Sequence, residues 1–237
     1  MTAEPGIALV TGGSRGIGRA IALRFARERW RVALAARGAG ELERVREEVE
    51  RQGGSGLAVA MDVTDLASVE AGLQRVLDLG GGRLDVLVNN AGAFSIHPFP
   101  ELSPATWYRT IATNLTGPFH VTLLALRGLE LSARAHVFNV SSVAGKRAFP
   151  GNVAYCASKY GLRGFSDALR LDLAERRIRV STVYPAQTDT PIWDDVPGDW
   201  DRARMNRPED VAEVVWRAYR TPVEADVADL EVPLPAQ

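Results

Sequence analysis

Short apolar runs rich in β-branched residues alternate along the chain with longer segments in which apolar residues recur every three or four positions. Runs of the first kind are typical of buried strands, and segments of the second kind are typical of amphipathic helices. About seven strands are predicted, at Ile7–Thr11, Arg31–Ala36, Gly56–Met61, Val86–Asn89, His136–Ser141, Arg179–Tyr184 and Leu230–Pro233. Helices are predicted at Ile17–Glu28, Glu41–Gln52, Leu66–Leu79, Pro104–Leu129, Val153–Arg176 and Pro208–Tyr219. This alternation predicts an α/β fold, a doubly wound parallel sheet with helices on both faces.

The domain organisation is simple, because no internal repeat, low-complexity tract or linker divides the chain. The long irregular stretch is Pro185–Arg207, which is rich in proline, aspartate and tryptophan. A segment of this kind is usually a functional lid or is disordered. We therefore predict one domain over residues 1–237, with a substrate lid around residues 186–207.

A glycine-rich turn, Thr11–Gly18 (TGGSRGIG), joins the first predicted strand to the first helix. Glycines in such a turn let the backbone approach a pyrophosphate, and the N-terminus of the following helix binds that anion. Because parallel sheets bind ligands at the carboxyl ends of their strands, the turn predicts a nucleotide site. Its expected contacts are Gly12, Ser14, Arg15, Gly16, Ile17 and Gly18.

The same turn admits another interpretation. Residues 12–16 also match G-x-S-x-G, in which Ser14 would be the nucleophile of a serine hydrolase. That chemistry needs an acid and a histidine later in the chain, and the histidines are His97, His120 and His136. Only His97 falls in a predicted loop, so the hydrolase is a remote alternative.

The end of the second predicted strand indicates which dinucleotide is bound. An acidic residue there binds the ribose 2′-hydroxyl of NAD, whereas arginine accommodates the 2′-phosphate of NADP. This strand ends Ala35-Ala36-Arg37 without an acid, and Arg15 projects from the glycine turn. Two guanidinium groups can hold a phosphate through charge-assisted hydrogen bonds, so we predict NADP(H).

Tyr155 and Lys159 lie one helical turn apart near the start of a predicted helix, on the same face. A free tyrosine has a pKa of about 10 and is a poor acid–base catalyst at neutral pH. A nearby ammonium group favours the phenolate and lowers that pKa. The pair therefore indicates a tyrosine tuned for proton transfer.

Further motifs accompany this pair in a specific order, namely the glycine turn, Asp62-Val63, Asn89-Asn90-Ala91-Gly92, Asn114 and Ser142. In their order and spacing the sequence resembles the short-chain dehydrogenase/reductase family, from the first strand to about Thr190. The resemblance implies a Rossmann fold and a homodimer or homotetramer formed partly by the long fourth and fifth helices.

The resemblance also implies a catalytic tetrad of Asn114, Ser142, Tyr155 and Lys159. Ser142, chosen over Ser141 by its spacing from Tyr155, would orient the substrate carbonyl, and Tyr155 would protonate the alkoxide. Lys159 would bind the nicotinamide ribose and lower the pKa of Tyr155, and Asn114 would hold a proton-relaying water.

Further cofactor contacts are implied at the ends of later strands. Asp62 would contact the adenine, and Asn89 to Gly92 would line the adenosine side of the cleft. The full set beyond the glycine turn is Arg37, Asp62, Val63, Asn89, Ala91, Gly92, Tyr155, Lys159, Pro185, Thr188 and Thr190. One departure from the family pattern is Pro185-Ala186 in place of Pro-Gly, which we expect to alter nicotinamide packing only slightly.

An apolar substrate pocket is expected beside the cofactor. Trp193 lies in the predicted lid, and Phe94, Ile96 and Phe149 follow the strands on the cofactor side. Large apolar side chains of this kind line small-molecule sites. The alternative that Trp193 only anchors the lid is equally compatible with the sequence.

Composition excludes several other function classes. A net charge of -1 gives no reason to expect nucleic acid or an anionic membrane as a partner. No uninterrupted apolar segment reaches the roughly 18 residues of a membrane helix, and the three histidines lack metal-ligand spacing. The single cysteine, Cys156, suits a reducing compartment, so we expect a cytoplasmic protein without a metal.

The sequence thus predicts an NADPH-dependent oxidoreductase that reduces a ketone or aldehyde to an alcohol. Oxidation uses the same residues in reverse, so both directions stay open. An alternative is a catalytically idle NADP(H)-binding sensor or scaffold of the same fold, although such a protein would not need the serine, tyrosine and lysine.

Overall fold

Seven parallel strands form one sheet in the computed structural model, which describes residues 5–225 and 227–235. The strands are β1 Ile7–Thr11, β2 Arg31–Ala36, β3 Ser55–Ala60, β4 Val86–Asn89, β5 His136–Val140, β6 Arg179–Pro185 and β7 Asp229–Val232. Their order across the sheet is β3-β2-β1-β4-β5-β6-β7. The prediction of a doubly wound parallel sheet is confirmed. The order reverses between β1 and β4, which is where such sheets open a crevice for a ligand.

Helices cover both faces of this sheet. They are α1 Gly16–Ala26, α2 Ala39–Arg51, α3 Leu66–Gly80, α4 Pro104–Ile111, α5 Gly117–Glu130, α6 Val153–Leu173 and α7 Pro208–Arg220. Apolar residues of α1, α2 and α7 pack on one face, where Phe25 meets Trp30 and Trp216 edge to face. On the other face, residues of α3, α5 and α6 cover strands that are buried on both sides.

The predicted helix Pro104–Leu129 is broken, which corrects the sequence prediction. A π-helical turn, Ala112–Thr116, separates α4 from α5. Pro118 lies in the first turn of α5 and has no N–H to donate to the carbonyl of Asn114, four residues earlier. The helix loses a regular hydrogen bond there, and π-turns of this kind occur mostly at functional sites.

His136, at the start of β5, is fully buried in the sheet. Its Nε2 lies 2.7 Å from the hydroxyl oxygen of Ser181, and that hydroxyl donates to the carbonyl of Val227. Nε2 therefore carries the ring proton, and Nδ1 has no partner among the described residues. Burial, with lesser contributions from Arg179 and Arg134, lowers the pKa of His136 well below its ordinary value of 6.5.

This burial predicts acid sensitivity. As the pH falls below about 6.5 the unfolded chain protonates His136 while the folded chain does not, so the free energy of unfolding decreases, by up to about 1.4 kcal/mol per pH unit. Urea unfolding of the wild type and of His136→Gln between pH 8 and pH 5 measures this effect. The variant is expected to lose most of the pH dependence in that interval, and equal slopes for the two proteins would contradict the assignment.

Candidate active site

Two cavities open at the carboxyl ends of the strands and meet at Tyr155. The first, of about 450 Å³, runs from the turn after β1 past the ends of β2, β3 and β4 to Lys159. The second, of about 310 Å³, lies between the loops after β4 and β5 and the segment after β6. Tyr155, Thr190 and Ile192 line both cavities. A reactant in one cavity and a reactant in the other would therefore face each other across Tyr155.

The glycine turn lines the first cavity through Gly12, Ser14, Arg15, Gly16 and Ile17. Gly12 and Gly16 have φ values of 63° and 54°, which only glycine adopts readily. A Cβ at Gly12 would also lie 2.8 Å from Nδ2 of Asn90. The turn therefore has the close backbone approach that a dinucleotide requires.

Gly18 has a different position from the one predicted. It is buried in α1 and does not line either cavity. A Cβ at Gly18 would lie 2.3 Å from the carbonyl oxygen of Gly12. The absence of a side chain at Gly18 thus lets α1 pack closely against the glycine turn. Gly18 therefore affects the shape of the turn and does not itself line the cavity.

Both predicted phosphate-binding arginines line the first cavity. Arg15 and Arg37 are exposed, and in the described part of the chain neither forms an ion pair with a carboxylate. The pKa of Asp62, at the same end, is lowered by hydrogen bonds from Thr64 and, to a smaller extent, by the charge of Arg37. This end of the cavity therefore offers two unpaired guanidinium groups.

The loop after β4 is fastened to the glycine turn by Asn90. Its side-chain amide donates to the carbonyls of Thr11 and Gly12, at 3.0 and 3.1 Å. The hydroxyl of Thr11 accepts from the backbone N–H groups of Asn90 and Ala91. Asn90, Ala91 and Gly92 all line the first cavity.

Asn89 was predicted to line the cavity, and the structure corrects this. It is buried inside the sheet, where its amide donates to Thr122 Oγ1 at 2.9 Å and to Asn139 Oδ1 at 2.8 Å. Alternate residues of a strand point to opposite faces, so the two adjacent asparagines cannot serve the same purpose. Asn90, which belongs to the same predicted motif, is the asparagine at the cavity.

Asn114 lies behind the site and lines neither cavity. Its Oδ1 accepts from the backbone N–H of Ala93 at 2.7 Å, and its Nδ2 donates to the carbonyl of Ala93 and to Ser158 Oγ. The fully buried side chain thus ties the loop after β4 to α6, the helix that carries Tyr155 and Lys159.

The two adjacent serines after β5 have different environments. Ser141 lines both cavities, but it is largely buried and donates to the carbonyl of Lys159. Ser142 lines the second cavity and hydrogen-bonds with Tyr155. The structure therefore brings Ser142, the serine selected by spacing, next to the tyrosine.

Burial raises the pKa of Tyr155 to about 12, against a smaller opposing effect of its hydrogen bond with Ser142. Burial also lowers the pKa of Lys159 to about 8. The Lys159 ammonium donates to the carbonyl of Val140 at 2.9 Å and lies 5.6 Å from the centroid of the Tyr155 ring.

Burial is the largest cause acting on the pKa of Tyr155, and a lowering of that pKa by Lys159 with the cofactor bound stays a prediction. Loss of hydration acts on the phenolate directly, whereas the ammonium group is directed at a backbone carbonyl. The phenol is therefore held in its protonated form.

Four predicted substrate residues, Phe94, Ile96, Phe149 and Trp193, line the second cavity. The ring of Phe94 packs edge to face against Tyr155, with a centroid distance of 4.7 Å, and against Trp193 at 5.4 Å. Trp200 continues this row, 4.7 Å from Trp193. The aromatic wall thus begins at the tyrosine and ends in the segment predicted to be a lid.

The segment between β6 and α7 contains two short 3₁₀ helices, Pro191–Trp193 and Arg202–Arg204. Arg202 connects its parts by donating to Asp189 at 2.5 Å, to Asp194 at 2.7 Å and to the carbonyl of Thr190. Sequence reasoning missed Arg202, since its partners are up to 13 residues away.

The cofactor contacts implied after β6 are divided between the two cavities. Pro185 and Thr188 line only the second cavity, while Thr190 lines both. Ala186, the departure from the family pattern, also lines the second cavity, and its carbonyl accepts from Thr188 Oγ1 at 2.9 Å.

The hydrolase interpretation of Ser14 has no support in the geometry. The residues that line the cavity at Ser14 include no histidine. His136 lies inside the sheet, and His120 Nδ1 is 3.1 Å from the carbonyl oxygen of Val63.

Among the residues the structure describes, no cluster of three histidine, cysteine or acidic side chains could hold a metal. Within the same residues, no helix is long and apolar enough to cross a membrane.

Comparison with known proteins gives consistent matches over nearly the whole chain. The family model described as short chain dehydrogenase matches residues 6–199. A sepiapterin reductase from Chlorobaculum tepidum is 33% identical over 231 residues, which are 94% of each protein. The crystal structure of an alcohol dehydrogenase from Thermococcus sibiricus, complexed with 5-hydroxy-NADP, has a TM-score of 0.89 at 28% identity and covers 97% of this chain and 96% of its own. A metagenomic short-chain oxidoreductase in complex with NADP has a TM-score of 0.82 at 32% identity, with coverage of 97% and 98%.

Proposed function

The chain belongs to the short-chain dehydrogenase/reductase family, and on this premise we propose that it reduces a ketone or aldehyde to an alcohol with NADPH. It is an oxidoreductase that takes NADP(H) as its cofactor. The observation that carries the proposed reaction is the position of Tyr155 between the two cavities, beside Ser142 and Lys159.

The first cavity suits the cofactor. Its glycine turn leaves room for a pyrophosphate at the N-terminus of α1, and Arg15 and Arg37 are free to bind a 2′-phosphate. Lys159 would hold the nicotinamide ribose at the other end. NADPH, when bound, supplies the hydride that reduces the carbonyl carbon.

In the second cavity, Ser142 would donate a hydrogen bond to the substrate carbonyl oxygen and orient it. Tyr155 would then protonate that oxygen as negative charge develops on it. A phenol with a pKa of about 12 is protonated throughout the physiological range, so the site is prepared to donate a proton. Asn114 would position the helix that carries Tyr155 and Lys159, through its hydrogen bonds with Ser158 and with the backbone of Ala93. At the π-helical turn it would also hold the proposed proton-relaying water.

We further propose a homodimer or homotetramer in the cytoplasm, where a protein with a single cysteine is suited to reducing conditions. Phe119 and Leu123 on α5, and Tyr160 and Leu171 on α6, are large apolar side chains left between 43% and 78% exposed. Exposed apolar patches of this kind mark association surfaces.

Replacing Tyr155 with phenylalanine removes the proton donor and leaves the ring that packs on Phe94. We expect kcat for ketone reduction to fall by about 10² to 10⁴, with little change in NADPH affinity. Steady-state kinetics on a ketone and aldehyde panel, with a fluorescence titration of NADPH, measure both quantities. Tyr108→Phe is the matched control, since Tyr108 is exposed on α4 and lines neither cavity. Full activity of Tyr155→Phe, or no activity in the wild type with intact NADPH binding, would favour the sensor instead.

Replacing Arg37 with alanine removes one proposed phosphate ligand. We expect the Kd for NADPH to rise about tenfold to a hundredfold and the Kd for NADH to stay unchanged, because only NADPH carries the 2′-phosphate. Fluorescence titrations with both cofactors measure this selectivity. Arg44→Ala, on the helix α2 that follows Arg37, is the control, because Arg44 lies outside the first cavity. Equal weakening of NADH would show that the arginine does not read the phosphate.

Light scattering coupled to size exclusion tests the assembly. We expect two or four times the subunit mass of 25.7 kDa for the wild type and a lower mass for Leu123→Glu, since a buried unpaired charge would destabilise the α5 interface. Leu66→Glu, at the exposed start of α3, should leave the mass unchanged. A monomeric wild type would refute the proposed assembly.

A further inference from the structure

The second cavity is lined almost entirely by uncharged side chains. Its walls are mostly aromatic and aliphatic side chains, and Arg147 is the only charged one among the described residues that line it. A few polar groups in an otherwise apolar cavity usually fix the orientation of the ligand. Arg147 is exposed and also lines the cavity, so its guanidinium group is accessible to a negatively charged group of a ligand.

Arg147 differs from its neighbour Lys146 in how its charge is used. Lys146 donates to Glu231 at 2.8 Å and lies 3.0 Å from Asp229, so its charge is balanced within the chain. Arg147 makes no ion pair within the described residues; its guanidinium carbon lies 4.9 Å from the centroid of the Phe149 ring. Stacking on an aromatic ring orients a guanidinium group and leaves its N–H groups free to donate.

The guanidinium group of Arg147 lies close in the chain to Ser142, the residue proposed to orient the substrate carbonyl. Arg147 follows Ser142 after one 3₁₀ turn, Val143–Gly145, and its backbone N–H donates to the carbonyl of Val143. The side chain that would orient the carbonyl and the side chain that would bind an anion are therefore presented by the same short loop. The substrate's charged end and its reacting end would be fixed together.

The size and shape of the cavity narrow the ligand further. Phe94, Phe149, Trp193 and Trp200 give it flat, rigid walls, and its volume of about 310 Å³ suits a small molecule. A planar guanidinium group matches a carboxylate through two parallel hydrogen bonds. A phosphate dianion would need further donors or cations, such as the two arginines that the first cavity provides.

We propose that the substrate is an aryl ketone that carries a carboxylate, with the ring held between the aromatic walls and the carboxylate bound by Arg147. This inference rests on the proposed ketone reduction. Arg147 is then the residue that determines specificity for acids over neutral ketones.

The test compares three aryl keto acids with their neutral methyl esters: phenylglyoxylate, 4-oxo-4-phenylbutanoate and 4-acetylbenzoate, which differ in the distance from carbonyl to carboxylate. We expect kcat/KM for at least one acid to exceed that of its ester about tenfold or more, as a charge-assisted pair provides. In Arg147→Gln the ratio should fall to about one through a higher KM for the acid, and Arg147→Lys should retain part of it.

Lys146→Gln is the matched control, because it removes an adjacent positive charge that is already paired. An equal loss of acid preference in this variant would show a general field effect and overturn the proposal. Equal use of acids and esters by the wild type, or an acid preference that survives Arg147→Gln, would overturn it too. In each of these cases the esters would still be reduced in a Tyr155-dependent way, so the proposed function would stand.

A binding measurement covers the case in which none of these ketones is reduced. Trp193 and Trp200 line the cavity, so quenching of tryptophan fluorescence in the presence of NADP⁺ reports on occupancy. Tighter binding of an acid than of its ester, lost in Arg147→Gln, would support the recognition site. Absence of any such Arg147-dependent binding would overturn it, while the separate NADPH titration and the Tyr155→Phe comparison would decide on the reductase.

Discussion

Desolvation of two neighbouring ionisable groups sets the electrostatics of this site. Tyr155 and Lys159 lie one helical turn apart where the two cavities meet, and burial moves both toward their neutral forms, with pKa values of about 12 and 8. An ammonium group beside a tyrosine would by itself have the opposite effect on the phenol. Burial is the largest effect on the phenol, and the lysine is directed at the carbonyl of Val140, so the phenol keeps its proton.

The position of this pair depends on polar contacts between loops that lie far apart in the chain. Asn90 joins the loop after β4 to the glycine turn, and Asn114 joins the same loop to α6. Asn114 belongs to a π-helical turn whose irregular hydrogen bonding follows from Pro118. The catalytic helix, the cofactor turn and the loop between them are thus held by two buried or partly buried amides.

On the substrate side, aromatic packing and hydrogen bonds make the arrangement together. A row of rings leads from Tyr155 through Phe94 and Trp193 to Trp200, and Arg202 secures the segment that carries the two tryptophans. Edge-to-face packing makes such a wall rigid, so the cavity can select for ligand shape. Arg147 at this wall adds selection for charge.

Features that depend on local pattern could be predicted from the order of amino acids. The period of the apolar residues predicted seven strands within about one residue of the observed ends, because strand and helix periodicities are local properties. The glycine turn was recognised because positive φ angles demand glycine, and the order of motifs pointed to Ser142, Tyr155 and Lys159 before any contact was known.

Features that depend on which groups face each other became visible in the folded chain. The tertiary structure assigned the cavity to Asn90 instead of Asn89, placed Gly18 in helix packing, and divided the predicted helix Pro104–Leu129 at Asn114. It also showed that burial is the largest cause acting on the pKa of Tyr155, since desolvation depends on everything packed around the phenol. The pairing of Lys146 and the free charge of Arg147 were equally invisible in the sequence, because the carboxylates that decide between two adjacent cations lie more than 80 residues away in β7.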